Sequence, residues 1–163
     1  MLSCIVSLVC GKKPHKVYNP IVNKQIEWKD TESFVPPITQ GEVIKVYDGD
    51  TITIAAKLPY EGSPLYRFQI RLAGIDSPEI KGKTEEEKRA AIRSQQALES
   101  LILHKTVFLE KTSQEKYGRI LANVFVRIGG KLFSANEWML NNKFAVSYDG
   151  KTKKQFCDDN TEE

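Results

Sequence analysis

From Gly41 onward the chain alternates. "GEVIKVY", "DTITIAAKL" and "YRFQIRLAGI" place apolar and polar residues in turn, with turn residues between them. That period of two predicts three strands of an antiparallel meander. In the third strand Phe68, Ile70 and Leu72 fall on one face, and Arg67, Gln69 and Arg71 on the other. The pattern then changes to a helical one over "TEEEKRAAIRSQQALESLILHK", from Thr84 to Lys105. Thr84 can cap this helix, Glu87 stands at the capping-box position, and Ala91, Gln95, Ala97, Leu98, Leu101 and Ile102 supply the buried stripe. "TVFLEK" and "ILANVFVRIGGKLF" return to alternation, as a strand and a hairpin turned at Gly129-Gly130. "SANEWMLNNKF" predicts a second helix, with Ser134 as its cap and Glu137 three residues on.

The expected order is therefore β-β-β-α-β-β-α. Five strands with a helix between the third and fourth suit a small closed Greek-key barrel of the oligonucleotide-binding (OB) type, an α+β fold with two packed helices. Upstream, Pro14, Pro20, Pro36 and Pro37 interrupt any period, so residues 1–40 read as an apolar segment and an irregular lead-in. Residues 41–150 form the expected domain, and residues 151–163 a polar tail.

Length and composition agree with one soluble globular domain: 163 residues, 40% apolar and 28% charged. With 24 basic residues against 21 acidic ones, the net charge of +3 does not by itself argue for nucleic acid. The three cysteines, Cys4, Cys10 and Cys157, form no Cys-x-x-Cys pair, and His15 and His104 have no second ligand nearby. This excludes a disulfide scaffold, a zinc site and a histidine-centred nucleophile. "LSCIVSLVC" is apolar but only nine residues long, too short to span a bilayer. It fits three readings: a loosely packed end, a secretory h-region, or, with Lys12, Lys13 and Lys16, an acylated anchor making peripheral membrane contact. Compartment is left open between secreted, membrane-associated and intracellular.

Four pieces carry chemistry: "DGDT" (48–51), "IRLAGIDSPE" (70–79), "KYGR" (116–119) and "SYDG" (147–150). Asp-Gly is a two-residue hairpin signal, so Asp48 and Asp50 are expected in a tight turn. Asp50, Asp76 and Glu79 offer oxygen ligands with no His or Cys, which suits calcium or magnesium. Arg71 and Arg119 bring guanidinium groups able to grip a phosphate. Singly, each acid reads as a turn or solvated residue and each arginine as a solvated cation. Together on the loops of one small barrel they describe a phosphodiesterase site.

In order and spacing, "DGDT", "IRLAGIDSPE" and "EKYGRILA" resemble the thermonuclease (staphylococcal nuclease-like) family over about residues 41–150. The resemblance implies one calcium ion held by Asp50, Asp76 and the backbone carbonyl of Thr51, with Asp48 behind them. It implies that Glu79 positions or deprotonates the attacking water, and that Arg71 and Arg119 bind the scissile phosphate. Tyr117 and Tyr148 match positions that contact the nucleotide, and Ser77 stands where the family often has threonine. The implied activity is calcium-dependent endonucleolytic hydrolysis of DNA and RNA, preferably single-stranded, leaving 3′-phosphate ends. A monomer without an obligate protein partner is expected. Two departures stand out. The family's bacterial form continues into a third helix where this chain has only the polar tail. "AAKLPYEGSPLY" is expected to lengthen a loop beside the nucleotide pocket. Two alternative readings are a catalytically dead barrel that binds nucleic acid or protein, and a structural membrane-associated protein. The first requires loss of acids or arginines that this chain keeps, and the second rests only on residues 1–16.

Overall fold

The structure is a computed structural model that describes residues 25–80 and 84–150. The N-terminal apolar segment, the polar tail and the question of a third helix lie outside the described residues. The chain divides into Met1–Glu32 and Ser33–Glu163. In the first unit, Trp28–Asp30 form a single 3-10 turn, closed by the Glu27 N–H donating to Asp30 Oδ2 at 3.1 Å.

The second unit is a closed barrel. β1 (Gln40–Val46), β2 (Thr51–Lys57) and β3 (Leu65–Leu72) are the expected meander, followed by a two-residue β4 (Ile75–Asp76) and helix α1 (Glu85–Ile102). β5 (Thr106–Gln114), β6 (Ile120–Ile128), β7 (Lys131–Ser134), helix α2 (Ala135–Asn141) and a two-residue β8 (Val146–Ser147) complete it. The main sheet runs β3-β2-β1-β5-β6-β7, and β6 returns to pair with β3. That last pairing is parallel, with Ile70 opposite Ile120 and Leu72 opposite Ala122. It closes five strands, β1, β2, β3, β5 and β6, into the mixed OB-type barrel that the alternation predicts, and β7 adds a hairpin on its outside. β4 and β8 form a separate ribbon.

Burial follows the period of two. Ile52 and Ile54 on β2, Ile70 and Leu72 on β3, and Val124 and Val126 on β6 are fully enclosed. Leu98 and Ile102 of α1 and Met139 of α2 pack into the same core. Each helix starts where its cap dictates. The Thr84 hydroxyl accepts the Glu87 N–H at 3.1 Å, while Glu87 Oε2 accepts the Thr84 N–H at 3.3 Å. Ser134 Oγ accepts the Glu137 N–H at 3.2 Å. Such caps satisfy backbone donors that the first helical turn leaves open.

Ahead of β1, Ile38 is 4% exposed in the core and Thr39 O accepts the Leu109 N–H at 2.8 Å. Two expectations change. "AAKLPYEGSPLY" is not a long loop by the nucleotide pocket. Ala55, Ala56 and Lys57 pair with Arg67, Tyr66 and Leu65, so the strands extend and only residues 58–64 turn. That turn lies at the opposite end of the β2-β3 hairpin from Thr51 and Arg71, which also pair. On α1 the most enclosed polar residue is Ser94, 1% exposed, a position that the apolar stripe omits.

Candidate active site

At the other end of the barrel a groove of about 740 Å³ opens between the β1-β2 turn, the loop after β4 and the turn between β5 and β6. Every candidate residue lines it except Thr51: Asp48, Asp50, Arg71, Asp76, Glu79, Tyr117, Arg119 and Tyr148. Closure of the barrel brings them together. Pairing β3 with β6 sets Arg71, near the end of β3, opposite Leu121, two residues after Arg119. The Leu72 N–H donates to Asp50 O and the Ala73 N–H to Ala122 O, both at 2.8 Å, so the three segments are stitched at their backbones.

The β1-β2 connection departs from the expected two-residue Asp-Gly turn. Four residues, Tyr47–Asp50, separate the strands. Gly49 is not among the glycines with positive φ. It is required for space: a Cβ there would stand 1.8 Å from Ser94 Oγ and 2.8 Å from Ser77 Cβ. The turn is therefore packed between α1 and the loop that carries Glu79. Gln95 of α1 ties it further, donating to Val46 O at 3.2 Å and Tyr47 O at 3.1 Å.

Asp50 and Asp76 are 3% and 6% exposed, and the Arg71 guanidinium joins them. Its two terminal nitrogens pair with Asp50 Oδ1 and, at 2.8 Å, with Asp76 Oδ1. Asp50 Oδ1 also accepts the Thr51 hydroxyl at 2.8 Å, and Oδ2 accepts the Ser77 N–H at 3.0 Å. Burial opposes the charge on Arg71, but Asp50 and Asp76 outweigh it and raise its pKa above the ordinary value. Asp48 lies behind, half-buried, and accepts the Asp50 N–H at 3.2 Å. Burial first, and then the Asp50 charge, push its carboxyl up to about 6.

The Thr51 carbonyl oxygen accepts the N–H groups of Tyr47 at 2.8 Å and Asp48 at 3.4 Å, which closes the hairpin. What Thr51 brings to the site is its hydroxyl, which links Asp50 to Arg119 Nη1 at 3.3 Å. Asp50 and Asp76 are both paired with the Arg71 guanidinium, and among the described residues no His or Cys lines the groove. Among the described residues no three His, Cys, Asp or Glu side chains form a ready-made metal cluster.

Arg119 is held by Glu115, whose two oxygens accept Nε at 2.6 Å and Nη2 at 2.8 Å. The 71% exposed Tyr117 ring lies 5.9 Å from the Arg119 guanidinium, and the Tyr148 ring 5.9 Å from that of Arg71. Glu79 is exposed on the groove wall, after the buried Pro78. Motif reading passed over Glu115, although its spacing of four from Arg119 across the Tyr117-Gly118 turn was visible. It also passed over Asn136, 6% exposed on α2. The Asn136 amide accepts the Val124 N–H at 2.9 Å and donates to Ala73 O at 2.7 Å, supporting the segment that leads to Asp76. No local sequence signal separates it from a solvated helix residue.

A sequence model of the family described as Staphylococcal nuclease homologue matches residues 69–162, more than half of the chain. The chain belongs to the staphylococcal nuclease family. An uncharacterized endonuclease of Escherichia coli is 31% identical to this family member over 109 residues, covering 67% of this chain and 61% of that protein. A probable endonuclease of Komagataella phaffii is 30% identical over 89 residues, covering 55% and 39%. An uncharacterized protein of Methanocaldococcus jannaschii is 29% identical over 128 residues, covering 66% and 58%. The chain thus spans between 39% and 61% of the length of these relatives.

Proposed function

We propose that this chain is a phosphodiesterase, a calcium-dependent endonuclease that cleaves DNA and RNA and leaves 3′-phosphate ends. The observation that carries the reading is the convergence of Asp50, Asp76, Glu79, Arg71 and Arg119 on one groove. Family membership and two relatives named as endonucleases support the same class of activity.

The donor set fits a hard cation. Two carboxylates, a groove lined by no His or Cys among the described residues, and room for water suit calcium, which fills its remaining coordination with carbonyls and solvent. Asp50 and Asp76 would hold it, in exchange for their pairing with Arg71. When bound, the ion supplies positive charge that offsets the anionic phosphodiester.

The chain's own groups account for the rest. Glu79 orients a water for attack on phosphorus and accepts its proton. A bond forms from the water oxygen to phosphorus, the bond from phosphorus to the 5′ oxygen breaks, and that oxygen leaves with a proton from solvent. Arg71 and Arg119 stabilise the charge that builds on the phosphoryl oxygens, and their high pKa makes them charge donors rather than acids. Tyr117 and Tyr148 offer aromatic faces on which bases stack without regard to sequence, which favours single strands.

The test is digestion of end-labelled single-stranded DNA and RNA in calcium, in magnesium and in chelator, beside Glu79→Gln and Arg119→Ala. Calcium-dependent cleavage to 3′-phosphate ends, lost in both variants, is the expected result. Retained binding with no cleavage by the unaltered protein in calcium would refute the proposal in favour of a barrel kept for recognition.

A further inference from the structure

A second groove, about 350 Å³, is bordered by Gln114 and Gly118 at the β5-β6 turn. Phe34, Arg67, Phe68, Gln69, Gln114 and Gly118 contribute to its walls. It forms because β6 pairs with β3 only from Ile70 onward. Residues 65–69 of β3 pair with β2 on one edge and have no strand partner on the other among the described residues. The lead-in residues Phe34 and Pro36 form part of the same cleft.

Three features make this cleft complementary to a nucleotide. Among the described residues its lining includes Arg67, which makes no ion pair, and no acid. It presents aromatic surface: Phe34 is 68% exposed, and Phe68 is braced by Tyr66, with ring centroids 6.2 Å apart. It also offers the amide side chains of Gln69 and Gln114 for hydrogen bonds. A volume of this size stands at the lower end of ligand-binding clefts, roughly 300 Å³ and upward.

The groove and the site already described are lined by the same two segments, β3 and the turn between β5 and β6. Arg67, Gln69 and Arg71 share one face of β3, so Arg67 stands about 13 Å along the strand from Arg71, four residues at ~3.3 Å each. The Glu115–Arg119 turn gives Glu115, Tyr117 and Arg119 to the main groove and Gly118 to this one. Gly118 has φ 81°, and a Cβ there would meet nothing within 4 Å, which leaves room for a chain to pass.

We propose that this cleft is an accessory subsite for single-stranded nucleic acid. It stacks an unpaired base of the substrate strand against Phe34, while Arg67 pairs with the adjoining phosphate. The strand runs over Gly118 to the phosphodiester held at Arg71 and Arg119. The inference rests on the nuclease reading of the main groove. It assigns the lead-in a role in substrate length preference, since a dinucleotide cannot reach both grooves.

The experiment compares the unaltered protein with Phe34→Ala, Arg67→Gln and the double variant. Binding of a dye-labelled thymidine decamer is followed by fluorescence anisotropy in chelator. The ratio of kcat/KM for the decamer to that for a dinucleotide is measured in calcium. The double variant is expected to weaken decamer binding on the order of tenfold or more and to lower that ratio similarly. Phe34→Trp should restore most of the loss caused by Phe34→Ala. A decamer Kd within twofold of the unaltered protein's, with cleavage intact, overturns the subsite and leaves the nuclease standing. Equal losses for decamer and dinucleotide overturn it too, because the change would then act through the main groove. Sensitive decamer binding without cleavage in calcium keeps the subsite and overturns the nuclease reading.

Discussion

Replacing Gly49 by alanine tests whether the acidic turn is fixed by packing against α1. The added Cβ would stand 1.8 Å from Ser94 Oγ, 2.8 Å from Ser77 Cβ and 2.9 Å from Ser94 Cβ. Rotating the Ser94 hydroxyl relieves only the first contact, and that rotation breaks its 2.7 Å hydrogen bond to Phe144 O. The two Cβ contacts are then relieved only by backbone movement, which separates α1 from the turn. Overpacking costs about 1–3 kcal/mol, and leaving the half-buried Phe144 carbonyl without its donor adds about 1 kcal/mol. Urea unfolding should therefore show a loss of about 2–4 kcal/mol for Gly49→Ala. Ser94→Ala alone should cost about 1–2 kcal/mol through the lost hydrogen bond. Because it also removes the 1.8 Å clash, the double variant should fall short of additivity by at least ~1 kcal/mol. Gly49→Ala should also impair cleavage, since Asp50 is the next residue. A loss below ~1 kcal/mol, or strict additivity, would mean that the turn is not wedged against α1 and that its glycine serves another purpose.

Asn136→Ala should destabilise by about 2–4 kcal/mol in the same assay, because the buried Val124 N–H and the half-buried Ala73 O lose their partner together. A cost under ~1 kcal/mol would show that solvent replaces the amide. For Asp48 the folded pKa of about 6 lies above the ordinary 3.8, so its contribution to stability is full below about pH 4 and declines as pH rises to about 6. In chelator, Asp48→Asn should accordingly be more stable than the unaltered protein by about 1–2 kcal/mol at pH 7, discounted for partial exposure, with the gap closing toward pH 4. A gap that ignores pH would place the burial penalty elsewhere. Arg119→Ala should lower kcat/KM about 10²–10³-fold, the scale of losing one preorganised charge donor at a developing anion, and Glu115→Gln should raise KM by loosening that arginine. A kcat/KM unchanged in Arg119→Ala would remove it from the chemistry.

What local pattern controls was legible. Alternation placed Phe68, Ile70 and Leu72 inside and Arg71 on the opposite face, and capping rules fixed where α1 and α2 begin. The candidate site was legible because its residues lie in short motifs whose spacing resembles a family. What long-range contact decides was not. Gly49 reads as a turn former from its neighbours, but its reason sits 45 residues away at Ser94. The destination of the Thr51 carbonyl depends on hairpin registry that no propensity encodes. Arg71 was expected to await a phosphate, whereas burial between two carboxylates leaves pairing with both as the way to avoid uncompensated charge. The free stretch of β3 follows from where β6 begins, a property of closure rather than of either strand's sequence.

The turn at residues 58–64 has a consequence for engineering. It caps the far pole of the β2-β3 hairpin, about 20 Å along β2 from Thr51, given the six steps from Thr51 to Lys57 at ~3.3 Å each. Gly62 at its tip has φ 76° and open space around it, while Ser63 Oγ accepts the Leu58 N–H at 2.9 Å and anchors the base. A linker spliced between Glu61 and Gly62 would leave that anchor intact and the strands paired. Cargo attached there, whether a targeting peptide, a fluorophore or a surface tether, would hang from the pole opposite the acids and arginines and leave the cleft facing solution.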